Sequence, residues 1–263
     1  MPDMKESTDY PHVNALLDHL VSQMQTILGP KFVGLYLFGS LVMGDYDDGT
    51  SDVDLLAATS SDIDQAEFEA LKKMHEDIVA KDPRWDNHIE VAYLSLEALK
   101  TFKIRSSPIG IISPGEPFHI KEAGKDWLVN WYFVREKGVT LFGPPPKSII
   151  EPISKDEFIQ IVKDHAGYWR ERSDDMRSRP GQSYAILTMC RALYTITNGE
   201  QVSKRQAALW AAKQLPEWST LINNALVWRK AAAEKGVDPT ATMAETRRFV
   251  NFVSDKILGP KIS

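Results

Sequence analysis

Two aspartates, Asp52 and Asp54, stand two residues apart in the run Ser51-Asp52-Val53-Asp54-Leu55-Leu56. Side chains on a β-strand alternate faces, so this spacing turns both carboxylates to one side, where they can hold a cation between them. Burying like charges is unfavourable without a counter-charge, and hard carboxylate oxygens favour magnesium. Upstream, Gly39-Ser40 follows an apolar run ending at Phe38. Backbone N–H groups of such a tight turn approach an anion closely, because glycine has no side chain in the way. A nucleoside triphosphate bridging the turn and the metal satisfies both features. Downstream, Glu90 lies between Ile89 and Val91. An acidic residue in an apolar strand needs a partner. Facing the metal, it can ligate the ion and accept a proton from an attacking hydroxyl.

The elements that must position these groups follow from periodicity. Leu16, Leu17, Leu20, Val21, Met24, Ile27 and Leu28 recur at helical spacing and stop at Gly29-Pro30. Phe32 to Phe38 is a near-continuous β-prone run that reads as a strand buried on both faces. Leu41 to Ser51, with Gly44, Gly49 and three aspartates, reads as turns. Asp52 to Ala58 is a second strand, Asp64 to Ala80 a helix through Phe68, Leu71, Met74 and Ile78, and His88 to Leu94 a third strand. In that third strand Glu90 takes the side opposite Ile89, Val91 and Tyr93. His88, beside it, reads as the residue that ends the strand. Prolines 108, 114 and 117 with Gly110 and Gly115 predict no long regular structure between Ser106 and Pro117, and Trp127 to Phe142 is ambiguous between helix and strand. From Lys155 onward only helical stripes remain, through Phe158 to Trp169, Ile186 to Ile196, Ala207 to Leu215, Leu221 to Trp228 and Phe249 to Ile257. The expected organisation is two domains, 1–144 and 145–263, divided near Pro144.

A chain of 263 residues with 43% hydrophobic and 25% charged residues is long enough for two buried cores. Its formal net charge of −5 argues against a general nucleic-acid binder, which needs a basic face for phosphates. The partner expected is a small molecule. Cys190 is the single cysteine, which excludes an internal disulfide and a cysteine-built zinc site; in its apolar run it reads as a packing residue. The start carries no signal-peptide pattern and no apolar run reaches the ~18 residues of a membrane span, so a cytoplasmic protein without membrane partner is expected.

Phe38-Gly39-Ser40, Ser51-Asp52-Val53-Asp54-Leu55 and Ile89-Glu90-Val91 together resemble the pattern of DNA polymerase beta-type nucleotidyltransferases. The closer resemblance, over nearly the whole chain, is to the aminoglycoside adenylyltransferases that modify streptomycin and spectinomycin. It rests on Arg135-Glu136-Lys137-Gly138-Val139-Thr140-Leu141-Phe142-Gly143-Pro144, on Ile186-Leu187-Thr188-Met189-Cys190-Arg191, and on Asn198-Gly199 followed by Ser203-Lys204. The resemblance implies an α+β fold: an N-terminal polymerase beta-like nucleotidyltransferase domain, a small mixed sheet with helices, followed by an all-helical domain. It implies ATP contacts at Gly39, Ser40, Ser51, Asp126 and Lys204, magnesium ligands at Asp52 and Asp54, and a catalytic base near the metal at Glu90. Trp228 corresponds loosely to an aromatic residue that meets the nucleotide. Lys204 also has a reading of its own: Ser203 and Gln206 look like a helix start, placing the lysine in a first turn whose dipole already favours an anion.

The implied acceptor side departs from the family. Its Pro-x-x-x-Glu-Leu-x-x-Gly-Glu-Trp stretch is represented only by Ser113-Pro114-Gly115-Glu116-Pro117-Phe118, and a drug-holding aspartate falls near Gly181. Trp169 and Asp174 sit where streptomycin-accepting members carry a tryptophan and an aspartate. The activity implied is magnesium-dependent transfer of AMP from ATP to an aminoglycoside hydroxyl by a protein expected as a monomer. The alternatives are AMP transfer to another small molecule or a protein hydroxyl, and a nucleotide-binding module without turnover.

Overall fold

The computed structural model describes residues 7–172, 176–230 and 238–259, so Asp174 lies outside the described residues. The chain divides into two compact units, Met1–Ile153 and Ser154–Ser263. The division lies beyond Pro144 because the segment after the prolines is tied back to the first unit. Glu151 N donates to Leu99 O at 3.0 Å, Arg135 Nε donates to Ile150 O at 3.2 Å, and Ile149, Ile150 and Ile153 are buried.

The first unit begins with α1 (Pro11–Leu28), which buries Val13, Leu16, Leu17, Leu20, Met24 and Leu28 along one stripe. β1 (Phe32–Phe38) leads into the single-turn α2 (Gly39–Val42), then β2 (Val53–Thr59), α3 (Gln65–Lys81), β3 (Ile89–Ser95) and the short α4 (Leu96–Thr101). Helix α3 starts on a capping box in which Asp64 accepts from Glu67 N and Glu67 accepts from Asp64 N. The helix is the crossover between two parallel strands, β2 and β3. β4 (Ser107–Ser113), β5 (Glu116–Ala123), α5 (Leu128–Lys137) and β6 (Val139–Phe142) complete a six-stranded mixed sheet of order β5-β4-β3-β2-β1-β6. One sheet face presents Leu35, Leu37, Val53, Leu55, Ala57, Val91 and Tyr93 to Leu71, Met74 and Ile78 of α3 and to α1. By alternation, Phe38, Asp54, Leu56, Glu90 and Ala92 belong to the other face.

The prolines between Ser106 and Pro117 were expected to prevent long regular structure, and instead they sit in a hairpin. β4 pairs with β3 only from Gly110 to Ile112, so Pro108, which has no N–H, lies past the end of that ladder, and Pro117 is on the edge strand β5. The ambiguous run 127–142 holds both elements, helix α5 and strand β6, with Gly138 between them.

In the second unit, α6 (Lys155–Trp169), α7 (Arg179–Asn198), α8 (Lys204–Gln214), α9 (Ser219–Lys230) and α10 (Thr240–Leu258) follow the five predicted stripes. Their core joins Trp169, Ile186, Met189, Cys190, Ala207, Ala211, Ile222, Trp228, Phe249 and Val253. Cys190 is fully buried, and burial pushes its thiol far up, which suits a packing residue. No helix among the described residues is long and apolar enough to cross a membrane.

Candidate active site

Sheet register brings the first three predicted groups side by side. Phe38, the residue before Gly39, pairs with Asp54 across the antiparallel β1–β2 ladder, and Asp54 pairs with Glu90 across the parallel β2–β3 ladder. Neighbouring strands lie about 4.8 Å apart, so a shared register puts two carboxylates next to each other on one face. Asp52, Asp54 and Glu90 are all half-buried.

Gly39 explains how Asp54 fits. Its φ is +71°, and a Cβ there would lie 1.8 Å from Asp54 Oδ2 and 2.5 Å from its Cγ. Any other residue would meet both left-handed strain and the carboxylate. After the turn, Asp45 N donates to Ser40 O at 3.0 Å and Met43 N to Gly39 O at 3.1 Å. The Ser40 hydroxyl is buried and has no hydrogen-bond partner among the described residues. A buried polar atom left so is costly, and a ligand acceptor at the turn would satisfy it.

Ser51 closes the following loop. Its Oγ accepts from Asp47 N at 3.0 Å and its own N donates to Asp47 O at 2.8 Å. The start of α1 holds the same loop from outside: Tyr10 and Tyr46 pack edge to face at 4.8 Å, and His12 Nε2 lies 3.1 Å from Asp48 Oδ1. Nothing in the sequence pattern marked Tyr10 or His12, because these contacts join positions 36 residues apart. Burial, with a smaller contribution from Asp48, pushes the Tyr46 phenol up to about 12, so it stays neutral near pH 7.

His88 precedes β3, and its carbonyl accepts from Val53 N at 2.9 Å. Its Nδ1 lies 3.7 Å from Asp52 Oδ1, too long for a hydrogen bond. Among the described residues no three His, Cys, Asp or Glu side chains converge into a ready-made metal site. That is compatible with magnesium, which takes one or two carboxylates and completes its octahedron with water and substrate phosphates. The hard oxygens of Asp52 and Asp54 and the Ser40 hydroxyl, buried without a hydrogen-bond partner in the turn that follows β1, fit such a group.

The remaining predicted residues are placed differently. Asp126 is exposed, and its Oδ1 accepts from Gly124 N at 2.9 Å, stabilising the turn before α5. Lys204 is the first residue of α8, whose capping box pairs Ser203 with Gln206, and its Nζ lies 4.3 Å from the centre of the Tyr184 ring. Trp169 is 6% exposed, part of the helical core, with the Tyr184 ring at 5.8 Å and Arg172 Cζ at 5.4 Å. Trp228 is also in that core, beneath Arg179 at 4.4 Å. Phe118, at the end of the divergent proline stretch, packs on Phe68, His75 and Tyr93. A pocket of about 260 Å³ bounded by His75, Trp85, Asn87, Ile112 and Glu116 contains none of the predicted site residues.

Comparison with known proteins bears on the family and the fold. Residues 20–106 match the nucleotidyltransferase domain family, and residues 148–256 match the aminoglycoside adenylyltransferase C-terminal domain. A spectinomycin 9-adenylyltransferase of Staphylococcus aureus is 28% identical over 207 residues, 74% of this chain and 76% of the relative. An aminoglycoside (3'')(9) adenylyltransferase of Escherichia coli is 24% identical over 269 residues, 93% of this chain and 95% of the relative. In fold, the chain is similar to the spectinomycin adenyltransferase of Enterococcus faecialis crystallised with ATP and spectinomycin, with a TM-score of 0.72 at 16% identity over 92% of this chain and 98% of the other. With a nucleotidyltransferase sheet carrying the carboxylates and a matching helical domain following it in the sequence, the chain belongs to the aminoglycoside adenylyltransferase family of polymerase beta-like nucleotidyltransferases.

Proposed function

We propose that this adenylyltransferase moves AMP from ATP to a hydroxyl of streptomycin or spectinomycin in a magnesium-dependent reaction. The observation that carries the reading is the shared register of Asp54 and Glu90 beside a Gly39 that leaves room for the Asp54 carboxylate. The names of the relatives motivate the choice of acceptor.

In this reading the Gly39-Ser40 turn binds a triphosphate oxygen, with the Ser40 hydroxyl as donor, and Ser51, Asp126 and Lys204 are further nucleotide contacts. Asp52 and Asp54 would hold magnesium, which when bound neutralises phosphate charge and polarises the α-phosphoryl group. Glu90 accepts the proton of the acceptor hydroxyl, whose oxygen forms the new bond to the α-phosphorus. The bond from that phosphorus to the bridging oxygen breaks, and pyrophosphate leaves with its electron pair. Positioning and charge neutralisation supply most of the acceleration in such an in-line displacement.

Mass spectrometry of streptomycin and spectinomycin after incubation with the protein, ATP and magnesium tests this directly. A gain of one AMP on either drug, abolished by EDTA, is the expected result; no gain on both would overturn the acceptor. A second reading, AMP transfer to another hydroxylated molecule, is favoured by one observation: Phe118, where the family's drug-pocket tryptophan stretch ends, faces the core. Pyrophosphate release with other hydroxylated acceptors but not with these drugs would select it.

A further inference from the structure

His75 and Val79 of α3, Ile89 of β3 and Ile112 of β4 line a cavity of about 260 Å³ in the first unit. Ile89 belongs to the helix-covered side of the sheet, and the next residue, Glu90, takes the other side by alternation. The cavity is therefore separate from the candidate chemistry of Asp54 and Glu90. Its mouth is held by Asn87, whose φ of +59° is a left-handed conformation that asparagine tolerates better than most residues. Asn87 Oδ1 accepts from Gly115 N at 2.8 Å, which clasps the β4–β5 turn to the start of β3.

One wall carries an unsatisfied polar group. His75 is 2% exposed, its Nε2 lies 2.8 Å from the Tyr93 hydroxyl, and its Nδ1 has no hydrogen-bond partner among the described residues. Burial pushes the imidazole down to about 3 and the Tyr93 phenol well up, so near pH 7 the ring is neutral and the phenol keeps its proton. If Nε2 donated to the phenol oxygen, both the phenol hydrogen and the Nδ1 lone pair would be left over. If the phenol donates to Nε2, one group is left over, an Nδ1–H donor. The second arrangement costs less, and it presents a buried donor that lacks an acceptor oxygen.

The other walls define the rest of an occupant. Trp85, Ile89 and Ile112 are apolar, and an apolar cavity of about 150 Å³ already admits a benzene ring, so the space takes one ring with a short chain. The exposed Asp86 and Glu116 stand at the rim, and no lysine or arginine is among the residues that line the cavity. His119 Nε2 lies 3.6 Å from Glu116 Oε2, and Arg84, next to Trp85, is paired with Asp82 at 2.7 Å. We propose that this cavity binds a small aromatic amine whose oxygen accepts from His75 Nδ1, whose ring packs on the apolar walls and whose ammonium meets Asp86 and Glu116.

Calorimetric titration of the full chain with tyramine tests the proposal, because tyramine joins a phenol oxygen, one ring and an ammonium. Saturable binding is expected. Phenethylamine, which lacks the oxygen, should bind about tenfold more weakly, and 4-ethylphenol, which lacks the charge, about threefold more weakly. Val79→Trp, which puts an indole into the space, should abolish tyramine binding. Asp86→Asn combined with Glu116→Gln should weaken tyramine about threefold and leave 4-ethylphenol unchanged. The double variant alters only exposed side chains, so it tests the site even where Val79→Trp fails to fold. Asp54→Asn should leave tyramine binding unchanged. Absence of saturable binding, phenethylamine binding as tightly as tyramine, undiminished tyramine binding in the folded Val79→Trp protein or in the double variant, or loss of binding in Asp54→Asn would each overturn the proposal.

Discussion

The sheet of the first unit and the helices of the second hold their candidate functional groups by different means. Gly39, Asp54 and Glu90 are located by hydrogen-bonded strand registers, so their backbones cannot slide without turning every side chain to the wrong face. Lys204 and Trp169 stand at helix ends, and the long Lys204 side chain lies over the Tyr184 ring. Charge placement for bond breaking tolerates little displacement, and a strand ladder provides that constancy. Helix ends suit recognition, where adaptable side chains can meet ligands of different outline. Damage to the first unit should therefore appear in turnover, and damage to the second in affinity or stability.

The largest expected effect is on the carboxylates. Asp54→Asn and Glu90→Gln should each lower AMP transfer by about a thousandfold, as expected from losing several kcal/mol of transition-state stabilisation, with circular dichroism unchanged. Near-normal turnover in either would break the assignment of chemistry to the sheet. Trp169→Ala should cost about 3–5 kcal/mol of stability in urea unfolding, because the indole lies in the helical core. A weakened acceptor affinity at full stability would instead make Trp169 a direct drug contact.

Two glycines sharpen the geometry of the first unit. Gly39→Ala should lose about 1–3 kcal/mol and most activity, because it combines strain at positive φ with displacement of Asp54. Gly49→Ala, at φ +72° with nothing within 4 Å of the added carbon, should show the strain alone and keep turnover. Equal activity in both variants would show that the Gly39–Asp54 approach is dispensable.

The last effect concerns pH. His75 is buried with Nε2 2.8 Å from the Tyr93 hydroxyl, and burial pushes it down to about 3. It is neutral in the folded protein, while the unfolded chain takes up a proton near pH 6.5. Its contribution is complete above about pH 6.5 and is lost progressively from there toward pH 3, with a slope of about 1.4 kcal/mol per pH unit. Urea unfolding at pH 7 and pH 5 should show the loss, and His75→Gln should flatten it. An unchanged slope in that variant would exclude His75 as the cause.

Most of the strands and helices were legible in local sequence because their burial is periodic. The stripes of α6 to α10 show it directly, and β1 is legible instead as a near-continuous apolar run buried on both faces. The hairpin of β4 and β5 was not, since proline and glycine argue against strands unless it is known which ladder they border. The nature of Trp127 to Phe142 was hidden for a related reason: whether an apolar run becomes helix or edge strand depends on whether a strand such as β1 offers it a partner.

Residue type and spacing by themselves determined the two-part organisation, the Gly-Ser turn, the pair of carboxylates two residues apart and Glu90 within a later strand, because alternation and glycine's steric freedom are local properties. Only tertiary structure decided that Asp54 stands in register between Phe38 and Glu90, that Gly39 makes room for its carboxylate, and that Tyr184 faces Lys204 while Trp169 turns inward. Each of these joins residues distant in the chain, through strand pairing or helix packing that no local pattern encodes.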